Sequence, residues 1–393
     1  MNLIPYGRQH IDEEDIQAVI DCLRSNFLTQ GPMVAEFEKA LASYVGARYA
    51  VAVSSGTAGL HISAIAAGVG ASGSALLTSP ITFVATANAA VYAGGTPLFA
   101  DVDEDTVNIS PANIEKMLAK HPEIRVISPV HFSGLPCDMA SIKRIADFGG
   151  VAIVEDAAHA LGSRYLDGSM VGNCKYSLMT VFSFHPVKSI TTGEGGVITT
   201  NDEEVYHKLL RLRSHGINKD SDAFLFPENA QTNRLFNPWY YEMQQLGFNY
   251  RITDIQCALG ISQIKKLDSF ISRRRVLVER YDKAFLESKL IRPAQIMGRG
   301  QSAHHLYPVR INFASSGTTR ADVMTELRNK GVITQVHYIP VTMHPFYQKR
   351  GYLNGDYPES NSYYAETMSL PLYFDLTEYQ QDFVISLLRD MFV

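Results

Sequence analysis

Three observations predict an α/β fold for this chain. Short apolar runs alternate with helical segments between residues 49 and 200. The runs are apolar almost throughout, not at every second position, which is the pattern of parallel strands buried on both faces. The length of 393 residues, at about 150 residues per domain, calls for two domains and leaves ample chain for a large core. The expected architecture is a large domain with a mostly parallel seven-stranded sheet flanked by helices. A smaller C-terminal α/β domain follows. The boundary is expected at 250, giving residues 1–250 and 251–393.

The elements follow in order. An acidic turn from Asp12 to Asp15 opens a first helix. Its Ile16, Val19, Ile20 and Leu23 fall at the i, i+3, i+4, i+7 spacing of a buried stripe. Gly31-Pro32 interrupts the chain, and a second helix presents Val34, Phe37, Leu41 and Tyr44 before stopping at Gly46. Strands are expected at 49–53, 75–77, 97–100, 126–130, 151–154, 178–182 and 196–199, with helices at 58–67, 82–92, 111–119 and 139–148. Residues 217–248 are polar and aromatic without a period and hold the single Trp239, so they read as a long functional loop or a linker. A helical pattern runs from Thr253 to about Leu290, with Arg273, Arg274 and Arg275 expected on a solvated face. Strand-like runs at 307–312 and 332–336, a helix from Arg320 and a last helix from Thr377 complete the smaller domain.

Composition narrows the function. Lys plus Arg number 35 and Asp plus Glu 40, a net charge of −5, and no basic block occurs, which argues against nucleic acid as a partner. Cys22, Cys137, Cys174 and Cys257 form no C-x-x-C pair, so neither a zinc site nor a redox dithiol is expected. The acidic start lacks the pattern of a signal peptide, and no apolar run reaches the roughly 18 residues of a spanning helix. A cytoplasmic protein without a membrane partner is expected.

Gly68-Val69-Gly70-Ala71-Ser72-Gly73 spells a dinucleotide fingerprint, but a helix precedes it and a strand follows, the reverse of what that motif requires. It reads as a helix-to-strand turn. Three other segments end apolar strands with polar groups. Ser54-Ser55-Gly56-Thr57-Ala58-Gly59 opens a helix, where free N–H groups and small residues suit a phosphate. Taken alone, a plain Ser/Gly helix cap is the commoner explanation of that segment. Glu155-Asp156-Ala157-Ala158-His159 ends a buried strand with carboxylates that require a cationic partner. A helix cap with a satisfied core histidine is the alternative. Ser183-Phe184-His185-Pro186-Val187-Lys188, followed by Gly193-Glu194-Gly195-Gly196, sets one lysine beside a Gly-rich tract, where a desolvated amine can act as a nucleophile. An exposed surface lysine is the alternative there. A phosphorylated pyridine aldehyde needs all three: phosphate donors, an acid for the ring nitrogen and an amine for the aldehyde. Phe83 offers an aromatic face for the ring, or a core side chain.

With these motifs and Gly247-Phe248-Asn249-Tyr250-Arg251, the chain resembles the sugar-nucleotide aminotransferases, pyridoxal 5'-phosphate enzymes of the aspartate-aminotransferase (type I) fold, over nearly its whole length. Phe184-His185-Pro186-Val187-Lys188 and Val336-His337-Tyr338-Ile339-Pro340 resemble the branch that aminates C4 in pseudaminic acid biosynthesis. The resemblance implies that Lys188 is the Schiff-base lysine and proton carrier and that Asp156 pairs with the ring nitrogen. It implies that Phe83 stacks on the ring, His159 lies near its 3-oxygen, and Gly56, Thr57, Ala58 and Ser183 hold the phosphate. Asn249 would reach the phosphate of the neighbouring subunit, making a homodimer with shared active sites. Tyr6, Asn26, Thr29, His185, Gln335, His337 and Tyr338 would contact the sugar nucleotide. Arg251 is a further candidate, with an interface ion pair as its alternative. The seven-residue spacing of His337 and His344, with Pro340 between them, does not set them on one helix face, so no metal is expected there.

The implied reaction takes the amino group of L-glutamate to C4 of a nucleotide-linked 4-keto-6-deoxy sugar, with a UDP-linked 2-acetamido-2,6-dideoxy-4-hexulose as the specific expectation. GDP- or dTDP-linked sugars and amination at C3 are the alternatives. A dehydratase of this fold would carry His where Lys188 stands. A desulfurase would need a mobile Cys, whereas Cys22 and Cys257 sit in helical stripes. A non-enzymatic regulator that keeps the fold is the reading from another class.

Overall fold

The computed structural model describes residues 3–70 and 73–392, so Ala71 and Ser72 of the Gly-rich turn lie outside the described residues. Two helices lead, α1 (Glu13–Arg24) and α2 (Pro32–Val45). The sheet unit then runs β1 (Tyr49–Val53), α3 (Gly56–Ala66), β2 (Ala75–Thr78), α4 (Val84–Tyr92) and β3 (Thr96–Phe99). It continues with α5 (Pro111–Lys120), β4 (Ile124–Ile127), α6 (Met139–Gly149), β5 (Ala152–Asp156), β6 (Met179–Ser183), β7 (Gly196–Thr200) and α7 (Glu203–Arg213). All seven strands fall on the apolar runs of the sequence. Their order is β1-β7-β6-β5-β4-β2-β3. β7 runs antiparallel to both β1 and β6, and the other pairs are parallel. Helices α2, α5 and α6 bury Phe37, Ile114 and Ile142 under one face. Helices α3 and α4 cover the other face with Leu60, Ile62 and Ala89, and α7 adds Leu209. That two-sided cover is why the strands read as continuous apolar runs.

After α7 come β8 (Ile217–Asn218), β9 (Gln231–Thr232), β10 (Leu235–Phe236) and β11 (Glu242–Met243). Residues 217–248 are therefore not an unstructured linker: β8 pairs with β11 and β9 with β10, both antiparallel. The buried Glu242 ties the segment together, its carboxylate accepting the N–H groups of Leu225 (2.6 Å) and Phe226 (2.8 Å). Strands of two residues are too short to show a period in sequence.

The helical stretch after Thr253 divides into α8 (Asp254–Ile264) and α9 (Leu267–Phe285). The smaller sheet is β12 (Ile291–Pro293), β13 (Tyr307–Ile311) and β14 (Thr367–Leu370), with β13 central and antiparallel to both. Around it lie α10 (Phe313–Ser316), α11 (Arg320–Asn329), α12 (Pro345–Gln348), α13 (Pro358–Glu366) and α14 (Glu378–Phe392). The run at 332–336 is not a strand; it makes single bridges, Val332 to Ile4 and Gln335 to Ser369. No helix among the described residues is long and apolar enough to cross a membrane.

Two further expectations change. The apolar stripe of α1 is not its buried face: Ile16 is 43% and Leu23 53% exposed. Asp15 and Cys22 are buried instead, because Asp15 accepts from the Gln263 side chain (2.7 Å) and pairs with Lys266 (3.1 Å), turning a polar anchor inward. In the Arg273–Arg274–Arg275 triplet only Arg275 is fully exposed. Arg274 is buried, its guanidinium donating to the carbonyls of His305 (3.1 Å) and Leu372 (2.9 Å).

Candidate active site

A cavity of about 680 Å³ opens at the carboxyl ends of the strands, where open parallel sheets place their ligands. Each wall comes from a strand-to-helix connection. From β1 to α3 the chain turns through Ser55, whose extended backbone and Oγ cap the helix by accepting the Ala58 N–H at 3.1 Å. The N–H groups of Gly56 and Thr57 precede the first carbonyl four residues back and remain available to an anion. The turn is packed to glycine tolerance. A Cβ on Gly56 would lie 2.9 Å from Ser183 Cβ, and one on Gly196 would lie 2.7 Å from the Ser55 carbonyl carbon. Ser183, at the end of β6, thereby faces the helix opening.

Asp156 ends β5 and is buried. Its Oδ2 accepts from the Thr86 hydroxyl at 2.6 Å and its Oδ1 from the Ala158 N–H at 3.1 Å. The Thr86 hydroxyl lies 2.7 Å from that of Thr82. A hydroxyl has one proton, so Thr82 donates to Thr86 and Thr86 to the carboxylate. All donors to Asp156 are neutral, and a buried carboxylate in that state calls for a cation. Glu155, one residue earlier, points to the opposite face. There it is satisfied by His131 (2.6 Å), Tyr165 (2.7 Å) and Thr180 (2.9 Å).

Lys188 follows β6 in a turn whose N–H donates to the His185 carbonyl at 2.9 Å. Its side chain is half-buried and borders the cavity. Burial pushes that amine down to about 8 from the ordinary 10.5, against the opposing pull of Asp156. Burial also lowers His159 well below the ordinary range, with the charge of Lys188 adding to it. The Ser133 N–H donates to His159 Nδ1 at 3.3 Å, so the neutral ring carries its proton on Nε2, 3.0 Å from the Tyr338 hydroxyl. His305 lies under His159 with ring centroids 4.4 Å apart.

Phe83 caps the N-terminus of α4 and is 58% exposed, which rules out a core role in the isolated subunit. Tyr6, His185, Gln335, His337 and Tyr338 also line the cavity. Asn26, Thr29, Asn249 and Arg251 do not line this subunit's cavity. Asn26, Thr29 and Asn249 are exposed, and Arg251 is half-buried. Ala58 turns its N–H to Ser55 and is likewise off the cavity wall.

Sequence reasoning missed Thr82, Thr86, Glu194, His305 and His344. All but Thr86 line the cavity, and Thr86 orients Asp156. Neither the helical period nor strand alternation marks His305 or His344. Thr86 had a faint signal: a hydroxyl in the first turn of a helix that follows a strand end.

The arrangement suits a flat phosphorylated ring. The glycine-packed helix opening suits its phosphate, the cation-deficient Asp156 its protonated nitrogen, Phe83 its face and the Lys188 amine an electrophilic carbon. A family model described as the DegT/DnrJ/EryC1/StrS aminotransferase family matches residues 9–389. The chain is 39% identical over 394 residues to the spore coat polysaccharide biosynthesis protein SpsC of Bacillus subtilis, covering 99% of this chain and 97% of the other. It is 37% identical over 385 residues to the UDP-4-amino-4,6-dideoxy-N-acetyl-beta-L-altrosamine transaminase of Campylobacter jejuni, covering 97% and 96%. Among solved structures it is similar to PseC of Helicobacter pylori, an aminotransferase involved in pseudaminic acid biosynthesis. That match has a TM-score of 0.89 at 29% identity, over 100% and 99% of the two chains. A putative sugar aminotransferase of Streptococcus pneumoniae in its PLP form gives a TM-score of 0.87 at 28% identity, over 99% and 98%.

Proposed function

The chain belongs to the DegT/DnrJ/EryC1/StrS aminotransferase family, and from that premise we propose that this pyridoxal-phosphate sugar aminotransferase moves the amino group of L-glutamate to C4 of a UDP-linked 2-acetamido-2,6-dideoxy-4-hexulose. The C4 and UDP assignments rest on the likeness to the Campylobacter transaminase and to PseC. The single observation that carries the site is the meeting, in one cavity, of a carboxylate without a cation, a lysine with a lowered pKa and a helix opening packed to glycine tolerance.

Bound pyridoxal phosphate supplies an aldehyde that carries the amino group and a ring that draws electrons from the carbon losing a proton. The protein supplies the rest. The Lys188 amine, whose lowered pKa favours its neutral form, would take a proton from the glutamate carbon and return one to the sugar carbon. Asp156, oriented by Thr86 and the Ala158 N–H, keeps the ring nitrogen protonated. Neutral His159, fixed as its Nε2–H tautomer, would offer that N–H to the ring's 3-oxygen. Phe83 would cover the ring face, and Gly56, Thr57 and Ser183 would hold the phosphate. Ala58 supports that turn by satisfying Ser55. Tyr6, His185, Gln335, His337 and Tyr338 form the sugar-nucleotide wall.

We place Asn249 in the partner's cavity, in a homodimer. Its exposure, and that of Trp239 (74%) and Leu246 (74%) in the adjoining segment, supports a covering subunit. A subunit that presents Asn249 would bring Arg251 with it. Thr29, bridged to Thr253, would travel alongside, with Asn26 on the same stretch.

Visible absorption tests the cofactor and the donor together. The purified protein should absorb in the visible with pyridoxal phosphate and bleach on L-glutamate. The bleached form should recover with the UDP-linked 4-keto sugar and not with GDP- or dTDP-linked analogues. Recovery with the analogues alone would sink the substrate assignment. A protein that stays colourless with added cofactor would sink the role of Lys188.

A further inference from the structure

A second, much smaller cavity of about 10 Å³ shares only Lys188 with the large one. It has room for one water-sized guest. Arg8, Lys188 and Arg274 line it, and its lining includes no Asp or Glu. Arg274 is 3% exposed, and its Nε–H has no acceptor. Its bonds go only to backbone carbonyls. Burial alone, with no carboxylate opposing it, pushes the guanidinium down to about 10. The nearby His10 is already engaged by Asp375 at 2.8 Å. A buried guanidinium with an orphan donor, beside two more cations, leaves charge that a neutral water cannot compensate.

We propose that this cavity binds a single monovalent anion of halide size on the Arg274 Nε–H, and that its occupancy stabilises the charged form of Lys188. From the large cavity Lys188 faces Asp156, Glu194, His159, His185, His305, His337, Tyr6 and Tyr338. From the small one it faces Arg8, His10 and Arg274. An anion held there attracts the ammonium, so it raises the pH at which the amine becomes free. The second half of this inference rests on Lys188 being the cofactor lysine; the site itself does not.

Crystals of the full chain soaked in sodium bromide test the site. The expected result is an anomalous peak within hydrogen-bond distance of Arg274 Nε, weakened in Arg8→Gln, a change at an exposed position. No peak there, or peaks on the outer surface only, overturns the site. The pH midpoint of pyridoxal-phosphate uptake by apoprotein tests the coupling, with chloride compared against gluconate at equal ionic strength. Chloride should raise the midpoint by about half a unit or more, saturably. A bromide peak with an unmoved midpoint overturns the coupling. Bromide occupancy needs no cofactor, so failure of the Lys188 reading would show separately, as absence of uptake.

Discussion

At the scale of single residues, the site depends on charges held away from water. Lys188 is pushed down to about 8 because its ammonium is desolvated, with Asp156 only partly opposing. The unfolded chain therefore binds the extra proton between about 8 and 10.5, so apoprotein stability rises with pH across that window. Uptake of pyridoxal phosphate by apoprotein should accelerate with pH and level off above about 8, where the amine is free. Stopped-flow absorbance across pH 6 to 10 reads this directly, and a rate still climbing steeply at pH 10 would contradict the burial argument. Asp156 makes the complementary case. Asp156→Ala should lower kcat by about two orders of magnitude or more, roughly 3 kcal/mol of barrier. The melting temperature of the apoprotein should move far less, because the relief of a buried carboxylate offsets the acceptor that Thr86 and the Ala158 N–H lose. Thr86→Val should lower kcat by a smaller factor, roughly tenfold, for one charge-assisted hydrogen bond. Equal losses of activity and melting temperature in Asp156→Ala would point to a structural role instead.

At the scale of elements, several joints are made by residues distant in sequence. Helix α2 begins at Gly31, which offers no side-chain cap. The buried Asp254 at the start of α8 does that work, its carboxylate accepting the N–H groups of Gly31 (2.8 Å) and Met33 (3.0 Å). Its charge also complements the positive end of the helix. Asp254→Ala should cost about 2 kcal/mol in urea unfolding. Asp254→Asn should recover part of the loss, since the amide oxygen can still accept one bond. A loss under about 0.5 kcal/mol would show that solvent replaces the cap.

The two hydrophobic cores also meet inside an element. Leu267, Phe270 and Ile271 at the start of α9 pack with the large sheet's core, and Leu277, Tyr281 and Phe285 of the same helix pack with β12, β13 and β14. Ile4 joins that second core. We therefore propose a domain boundary within α9 in place of residue 250, with the N-terminal segment around Ile4 returning to the smaller domain.

At the scale of the whole molecule, the proposed dimer makes a quantitative claim. Lys188→Ala and Asn249→Ala proteins should each be nearly inactive. Mixed after subunit exchange, they should regain roughly a quarter of wild-type activity. Half of the dimers are then mixed, and in each of those one of the two sites is intact. Recovery near zero, with mixed dimers demonstrated by mass spectrometry, would place Asn249 in its own subunit's site. Cofactor binding should also raise global stability, by about 2.7 kcal/mol at a concentration one hundred times the dissociation constant. Apo and holo melting curves supply that comparison.

Much of this molecule is legible in its sequence. The seven strands of the large sheet announce themselves because burial on both faces leaves no alternation to confuse them. The polar groups at the ends of β1, β5 and β6 are visible because a Ser/Gly turn, an acidic pair and a solitary lysine interrupt long apolar runs. Local chemistry determined those features, and with them the family. Tertiary structure alone decided the others. It buried Arg274, which the helical pattern reads as surface, because carbonyls from residues 305 and 372 converge on it. It turned Asp15 inward and left Ile16 and Leu23 outside, because Lys266 and Gln263 receive the carboxylate. It joined strands of two residues that have no period to read. It also set Thr86 on Asp156 and Tyr338 on His159 across 70 and 179 residues. A period reports which face of an element is apolar, whereas a buried polar group is placed by its partners, and those partners come from distant parts of the chain.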